Sequence, residues 1–396
     1  MALDIGRLFF PSTSDKSALM LSFAVFAISY LARPIGSIFI GYFSETRGAG
    51  SALKLSMVGM AGPASVIALL PTYETAGYVA TVALLGLKLV QGFCAGGQLP
   101  LTGYFVSLNS SGKNRGLYCA ISAASGFLGM LLASETILTV QLIASTLSNQ
   151  HGIIPAKYVP DPWRWPFIIC IPLSILVYKA RTSVDGSREL CEDGSPRHRP
   201  AMPLLQAFFL VAFMEIVIYS VLVWMPAYLH TYLGVSRTDA GATHSITLLI
   251  FSLSMVGIGY FSRFVAPSTL VFIGTALISV SCVPLFFALQ NAAFFTLMAV
   301  QAVFGVLASC VVGVIFVVLP ELFRKNWGSF GMVVTYSVAT AVFGGTAPIV
   351  CAYLIDASHL LTAPAIYILI TGVLATPVAF RLMQQDKAHL PLRAVS

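Results

Sequence analysis

Apolar runs of about 20 residues, bounded by polar or Gly/Pro clusters, follow one another along almost the whole chain. That is the length a helix needs to cross a bilayer core roughly 30 Å thick. Spans are predicted at residues 17–43, 54–71, 77–107, 117–146, 165–179, 203–229, 241–262, 268–288, 293–318, 328–354 and 361–382, about eleven in all. The run at 165–179 is short for a span unless it begins earlier. The runs are continuous and lack period-two alternation, so they point to helices and not to a β-barrel. The expected fold class is all-α, a polytopic membrane protein.

One segment breaks the pattern. TSVDGSRELCEDGSPRHRP, residues 182–200, is polar, mixed in charge and contains Gly and Pro. It divides the chain into an N-terminal bundle at 1–181 with about five spans, a central loop at 182–202, a C-terminal bundle of six spans at 203–383, and a tail at 384–396. With the loops on alternating sides, Lys and Arg accumulate on one: Arg47, Lys54, Lys113, Arg115, Lys179, Arg181, Arg188, Arg197, Arg199, Arg263, Arg324, Lys325, Arg381, Lys387 and Arg393. The other side receives Arg7, Lys16, Lys157, Arg164 and Arg237. Positive charge collects in cytoplasmic loops, so the central loop and the C-terminus are expected in the cytoplasm and the N-terminus outside.

Composition agrees with this reading. Of 396 residues, 57% are hydrophobic and 9% charged, far below the roughly one quarter that wets a soluble surface. The net charge of +7 follows from the positive-inside bias and calls for no nucleic acid. Seven cysteines, Cys94, Cys119, Cys170, Cys191, Cys282, Cys310 and Cys351, lie almost all in spans without metal-ligand spacing. They read as small apolar packing residues. No disulfide, metal or cofactor is expected. The histidines are dispersed mostly in loops and no GxSxG or HExxH occurs, so nothing suggests an enzyme. The N-terminal stretch MALDIGRLFFPSTSDKS does not resemble a cleaved signal peptide.

Several stretches then carry a family resemblance: LARPIGSIFIGYFSETRG (31–48), LKLVQGFCAGGQ (87–98), NRG (114–116), WRWPF (163–167) and LPELFRKNWGSFGMVVTYSVATAVFGGTAPI (319–349). In this order they resemble the metabolite:proton symporter family of the major facilitator superfamily, over residues 9–383. The resemblance implies two pseudo-symmetric helical bundles and proton-driven import of a small solute such as proline, betaine, 2-oxoglutarate, citrate or shikimate. It also implies that LFFPSTSDKS (8–17) is the external loop after the family's first helix. That helix would then be absent, through a late start assignment, gene decay or a genuine eleven-helix product. A transport-inactive remnant is the corresponding alternative function.

Charged groups inside spans are costly unless paired or wet, and so mark function or tight structure. Arg33, in the LARP segment, is either a structural or snorkelling arginine or a group facing the cavity. Lys88 stands where the family usually has Arg and is a candidate to hold a substrate carboxylate as a point charge. Gln98 replaces the glutamate of the family's GGE pattern, remains a candidate substrate contact, and cannot release a proton. Glu215, flanked by apolar residues in LVAFMEIVIYSVLVW, is the candidate proton-coupling carboxyl; its structural alternative is a pair with Lys88 or Arg33. Tyr219, one turn later, and Tyr336 are candidate substrate contacts. Glu135 is a weaker candidate. Gly344, Gly345 and Pro348 should disturb helix regularity, for close packing or for motion. Trp163, Arg164 and Trp165 are expected to anchor at a membrane interface.

The superfamily's gating loop has its counterpart in GYFSETRGAGS, where Gly41 and Gly48 persist, Glu45 takes the acidic position, and Ala49 and Ser51 replace basic residues. Fewer charge pairs there imply a less biased switch. The expectation is therefore a monomeric, multi-pass carrier of the plasma (inner) membrane. Its partners are a small solute, protons and the lipid bilayer, and it works by alternating access.

Overall fold

The computed structural model describes residues 2–10, 21, 24, 25, 27–110, 112–149, 162–182, 201–324 and 327–393. Among these residues the chain is helical with no strand. In chain order the helices are α1 (Ala2–Phe9), α2 (Arg33–Arg47), α3 (Ala49–Leu69), α4 (Tyr78–Asn109), α5 (Arg115–Asn149), α6 (Trp165–Thr182) and α7 (Met202–Val217). There follow α8 (Met225–Thr231), α9 (Arg237–Phe261), α10 (Pro267–Ala288), α11 (Phe294–Phe323), α12 (Gly328–Ala339), α13 (Ala347–Ser358) and α14 (Ala363–Arg393). Nine helical runs among the described residues are long and apolar enough to cross a membrane; Trp165–Lys179 is apolar but shorter. Each of the predicted spans contains helix, and the protein is an all-α membrane protein. Most of the expected central loop, 183–200, lies outside the described residues.

Local sequence explains many boundaries. Pro34, Pro203, Pro226, Pro267 and Pro348 occupy the first or second position of their helices, where the missing N–H is not needed. Ser236 caps α9 by accepting from the Asp239 N–H at 3.0 Å, and Asp239 puts an acid in the first turn. Gly48 alone joins α2 to α3, with φ +89°, a conformation that disfavours any side chain.

The structure departs from the predicted pattern in three places. Run 203–229 is not uniform: α7 passes through a wider turn at Ile218–Val223 before α8. Run 328–354 has a similar turn at Thr340–Gly344 before α13, where Gly344, Gly345 and Pro348 are expected to disturb the helix. Leu8 and Phe9 are helical, not loop. Trp163 is 4% exposed, enclosed by protein and not facing lipid. It packs edge-on against Phe9 at 5.4 Å, within a cluster that includes Ile67, Leu70, Ala80 and Leu84. Aromatic burial outcompetes the interfacial position because α1, α3 and α4 supply an apolar pocket beside it. Arg164 donates to the Ala68 and Leu70 carbonyls at 2.7 and 2.8 Å, closing the frayed end of α3.

The chain forms two compact units, Met1–Gln98 with Gly129–Leu190, and Leu99–Leu128 with Cys191–Ser396. In the first, the helix containing Ser29 to Ile40 and α4 run parallel in backbone contact. A methyl on Gly36 would lie 1.8 Å from the Phe93 carbonyl oxygen, on Gly92 1.9 Å from that of Ser29, and on Gly96 2.2 Å from that of Arg33. Gly92 and Gly96 form a small-xxx-small pair of the kind that brings membrane helices together without a hydrophobic drive. In the second unit α7 and α11 are enclosed; α7 is buried continuously from Leu210 to Val217, as a helix apolar all round should be. Peripheral helices expose apolar side chains such as Val280 and Phe295, 79% and 75% accessible, the surface that lipid covers.

Gly96→Val is expected to destabilise the folded protein by about 3 kcal/mol, because α2 and α4 must separate. The apparent melting temperature in detergent should fall. Gly126→Ala, where a methyl meets nothing within 4 Å, should leave it unchanged.

Candidate functional site

In the first unit the candidate residues Arg33, Lys88 and Gln98 do not converge. The Arg33 guanidinium lies over Tyr30, 3.6 Å from the ring centroid, a cation–π contact that keeps a charge tolerable in a span. Contact with Gly96 sets Arg33 level with that residue, just before Gln98 on α4. Lys88 precedes Gly96 by two turns, so it sits about 12 Å away along the axis. Its ammonium lies 5.7 Å from the Phe167 ring of α6. The two cations are therefore separate features of the unit and do not form one clamp.

In the second unit Glu215 lies on α7, 3% exposed. Thr340 Oγ1 donates to its Oε1 at 2.9 Å. Tyr219 follows one turn on. A methyl at Gly344 would lie 2.8 Å from Tyr219 Cε2 and 3.0 Å from Glu215 Oε2, so only glycine lets this stretch of backbone rest against both. The backbone is special on both sides. Trp224 N–H donates to Tyr219 O at 2.9 Å and Gly345 N–H to Thr340 O at 2.9 Å, each spanning five residues instead of four. Such π-turns are rare and recur at functional sites. Tyr336 sits one turn before Thr340, 4% exposed, stacked on Phe316 of α11 at 5.9 Å. Glu215, Tyr219, Thr340 and Gly344 thus form one cluster, with Tyr336 a turn away facing α11. Thr340 escaped the sequence reading because a threonine in an apolar run signals nothing until the facing helix is known.

A separate polar contact joins the end of α4, the start of α5 and the end of α11. Arg115 Nη1 donates to Glu321 Oε1 at 2.8 Å, while Nε and Nη2 donate to Ser107 Oγ at 2.9 and 2.6 Å. Gly103 and Gly116 permit the approach: a methyl on Gly103 would lie 2.2 Å from Phe316 Cδ1, and one on Gly116 1.9 Å from Ser262 Oγ. Both partners of this pair lie in stretches already singled out, NRG and LPELF, though nothing in either named the other. Gly41 is buried in α2, Gly48 makes the turn after it, and Glu45, half-buried, has no ion-pair partner within 4 Å among the described residues. Glu135 is exposed.

An apolar cavity of about 390 Å³ lies between α7 and α12, lined by Leu204, Phe208, Trp327, Phe330 and Val338 with the single hydroxyl of Thr335. It has no charge to orient a carboxylate. Among the described residues no group of three or more His, Cys, Asp or Glu converges to hold a metal.

The family model described as Major Facilitator Superfamily matches residues 8–328. The chain belongs to the Major Facilitator Superfamily. Among curated relatives, the proline/betaine transporter of Escherichia coli K12 is 25% identical, over 100% of this chain and 81% of its own. The alpha-ketoglutarate permease of the same strain is 27% identical, over 98% and 89%. The citrate-proton symporter of Klebsiella pneumoniae is 25% identical, over 95% and 86%. These relatives are transporters and permeases, not enzymes. Among solved structures, the fold is similar to that of the xylose transporter XylE from E. coli, with a TM-score of 0.70 at 18% identity over 96% of this chain and 92% of that one. This superfamily member is a multi-pass membrane protein.

Arg115→Gln and Glu321→Gln should each lower the apparent melting temperature slightly. The double variant should cost no more than the worse single one, and the coupling should be about 0.5–1 kcal/mol for a partly exposed pair. Thermal unfolding of the purified protein in detergent reads this.

Proposed function

We propose that this protein is a secondary active carrier that imports a small organic acid or zwitterionic osmolyte together with protons. The observation that carries the reading is Glu215, a carboxyl 3% exposed inside a membrane-spanning helix, held by a hydroxyl and placed between two π-turns. An ionisable group at such a site is a functional feature by default. The relatives named as proline/betaine, alpha-ketoglutarate and citrate-proton transporters support a solute carrying a carboxylate. They also support proton coupling, although Gln98 cannot supply the proton site.

In this scheme the bundles at 1–181 and 203–383 rock about a central site. Protonation of Glu215 and solute binding together favour the occluded state, each by its differential affinity for it. Within the first unit Lys88 supplies the positive charge for the solute carboxylate. Gly41, Glu45 and Gly48 set the bias of the switch. The Lys/Arg asymmetry supports a C-terminus in the cytoplasm, and the bacterial relatives support the inner membrane.

Purified protein in liposomes should accumulate at least one of proline, glycine betaine, 2-oxoglutarate or citrate when the outside is made acidic. Glu215→Gln should abolish the dependence on the pH gradient while leaving solute counterflow. Unchanged gradient-driven uptake in that variant would overturn the role of Glu215. Lys88→Gln should raise KM for a carboxylate solute about tenfold, the equivalent of 1.4 kcal/mol.

A further inference from the structure

Thr340 differs from several other buried hydroxyls of its unit and shares with Ser268, which donates to the Asp386 carboxylate, a bond to an acid on another helix. Thr243, Thr247, Ser252, Thr275 and Ser279 each donate to a carbonyl three or four residues back in their own helix. That is how a helix ordinarily satisfies a buried hydroxyl. Thr340, 1% exposed, donates instead across to α7, to the Glu215 carboxyl at 2.9 Å. Its carbonyl also departs from the α pattern, accepting from Gly345 five residues on. One residue therefore ties the carboxyl to the π-turn that joins α12 to α13.

Resting on the reading of Glu215 as the proton site, we infer that Thr340 is the positioning residue of that site, and that it transmits the protonation of Glu215 into the hydrogen bonding of the last turn of α12, where the π-turn at Thr340–Gly344 begins. An ionised carboxylate only accepts, so it holds the Thr340 hydroxyl as a donor. Once Glu215 takes a proton from water it carries an O–H that needs an acceptor, and Thr340 Oγ1 is already within reach. The threonine proton then turns to a carbonyl of its own helix, as its neighbours' protons do. One proton is gained, none is lost, and one hydrogen bond reverses its direction. Gly344, at the far end of the same turn, keeps its backbone beside the carboxyl, since a methyl there would lie 3.0 Å from Oε2.

The titratable groups on the elements packed about this part of α7 include Tyr219 on the same helical run, Tyr336 on α12, Cys351 on α13, Tyr367 on α14 and His244 on α9, which packs against Ile218–Val223; Cys351 meets Ser220 at 3.3 Å. None of these is a carboxyl, and an imidazole gives no carboxylic C=O band. On α11, Cys310 faces Gly274 and Glu321 pairs with Arg115. Tyr353 and Asp356 of α13 are exposed, and Arg381 and Asp386 lie at the far end of α14.

The test is infrared difference spectroscopy of the purified full chain in lipid, titrating pH and following the C=O stretch of a protonated carboxylic acid. It needs no knowledge of the solute. A titrating band should be present in the wild type and absent in Glu215→Gln. In Thr340→Val the ionised form loses a donor, so the midpoint of that band should rise by about one pH unit and its frequency should move. Thr340→Ser should restore both. If Thr340→Val does not fold, Thr340→Ala serves the same comparison. A wild-type band that persists in Glu215→Gln would overturn the proton-site reading itself. A band that belongs to Glu215 but keeps its midpoint and frequency without the Thr340 hydroxyl would overturn this inference alone.

Discussion

Inside lipid no water is available to the peptide group, and each backbone N–H and C=O has to find its partner within the chain. The all-helical architecture follows from that constraint, as do the proline-led helix starts and the Arg164 side chain spent on the last carbonyls of α3. The constraint also decides where irregular backbone is tolerated. Both π-turns, Ile218–Val223 and Thr340–Gly344, lie on enclosed stretches of the second unit, where neighbouring side chains and five-residue hydrogen bonds meet the demand.

Those enclosed turns are also where the single buried carboxyl described in the second unit's core resides. Glu215 is accommodated because Thr340 gives up the usual bond to its own helix and because Gly344 has no side chain. The same economy marks the first unit, where Arg33 is offset by the Tyr30 ring and Lys88 by proximity to Phe167. Charges within the spans thus rest on aromatic rings and on hydroxyls of neighbouring residues.

Much of this was legible beforehand. Hydropathy and length located the helices. Glu215 and Tyr219 were named from a carboxyl in an apolar run and from the spacing of one helical turn. Thr340 was not, and neither was the partnership of Arg115 with Glu321, 206 residues apart in the chain. Trp163 was misplaced at an interface, because a tryptophan near a span boundary looks the same whether its neighbours are headgroups or Phe9 and Leu84.

The sequence by itself determined the class of solvent this protein lives in, its helical character and which residues carry charge into the membrane. These depend on local composition and on the period of a single helix, both written in consecutive residues. Only the tertiary structure decided which helices touch, where their backbones widen into π-turns, and which hydroxyl faces the carboxyl. Those depend on the rotation and depth of each helix against its neighbours, which in a uniformly apolar span no local pattern encodes.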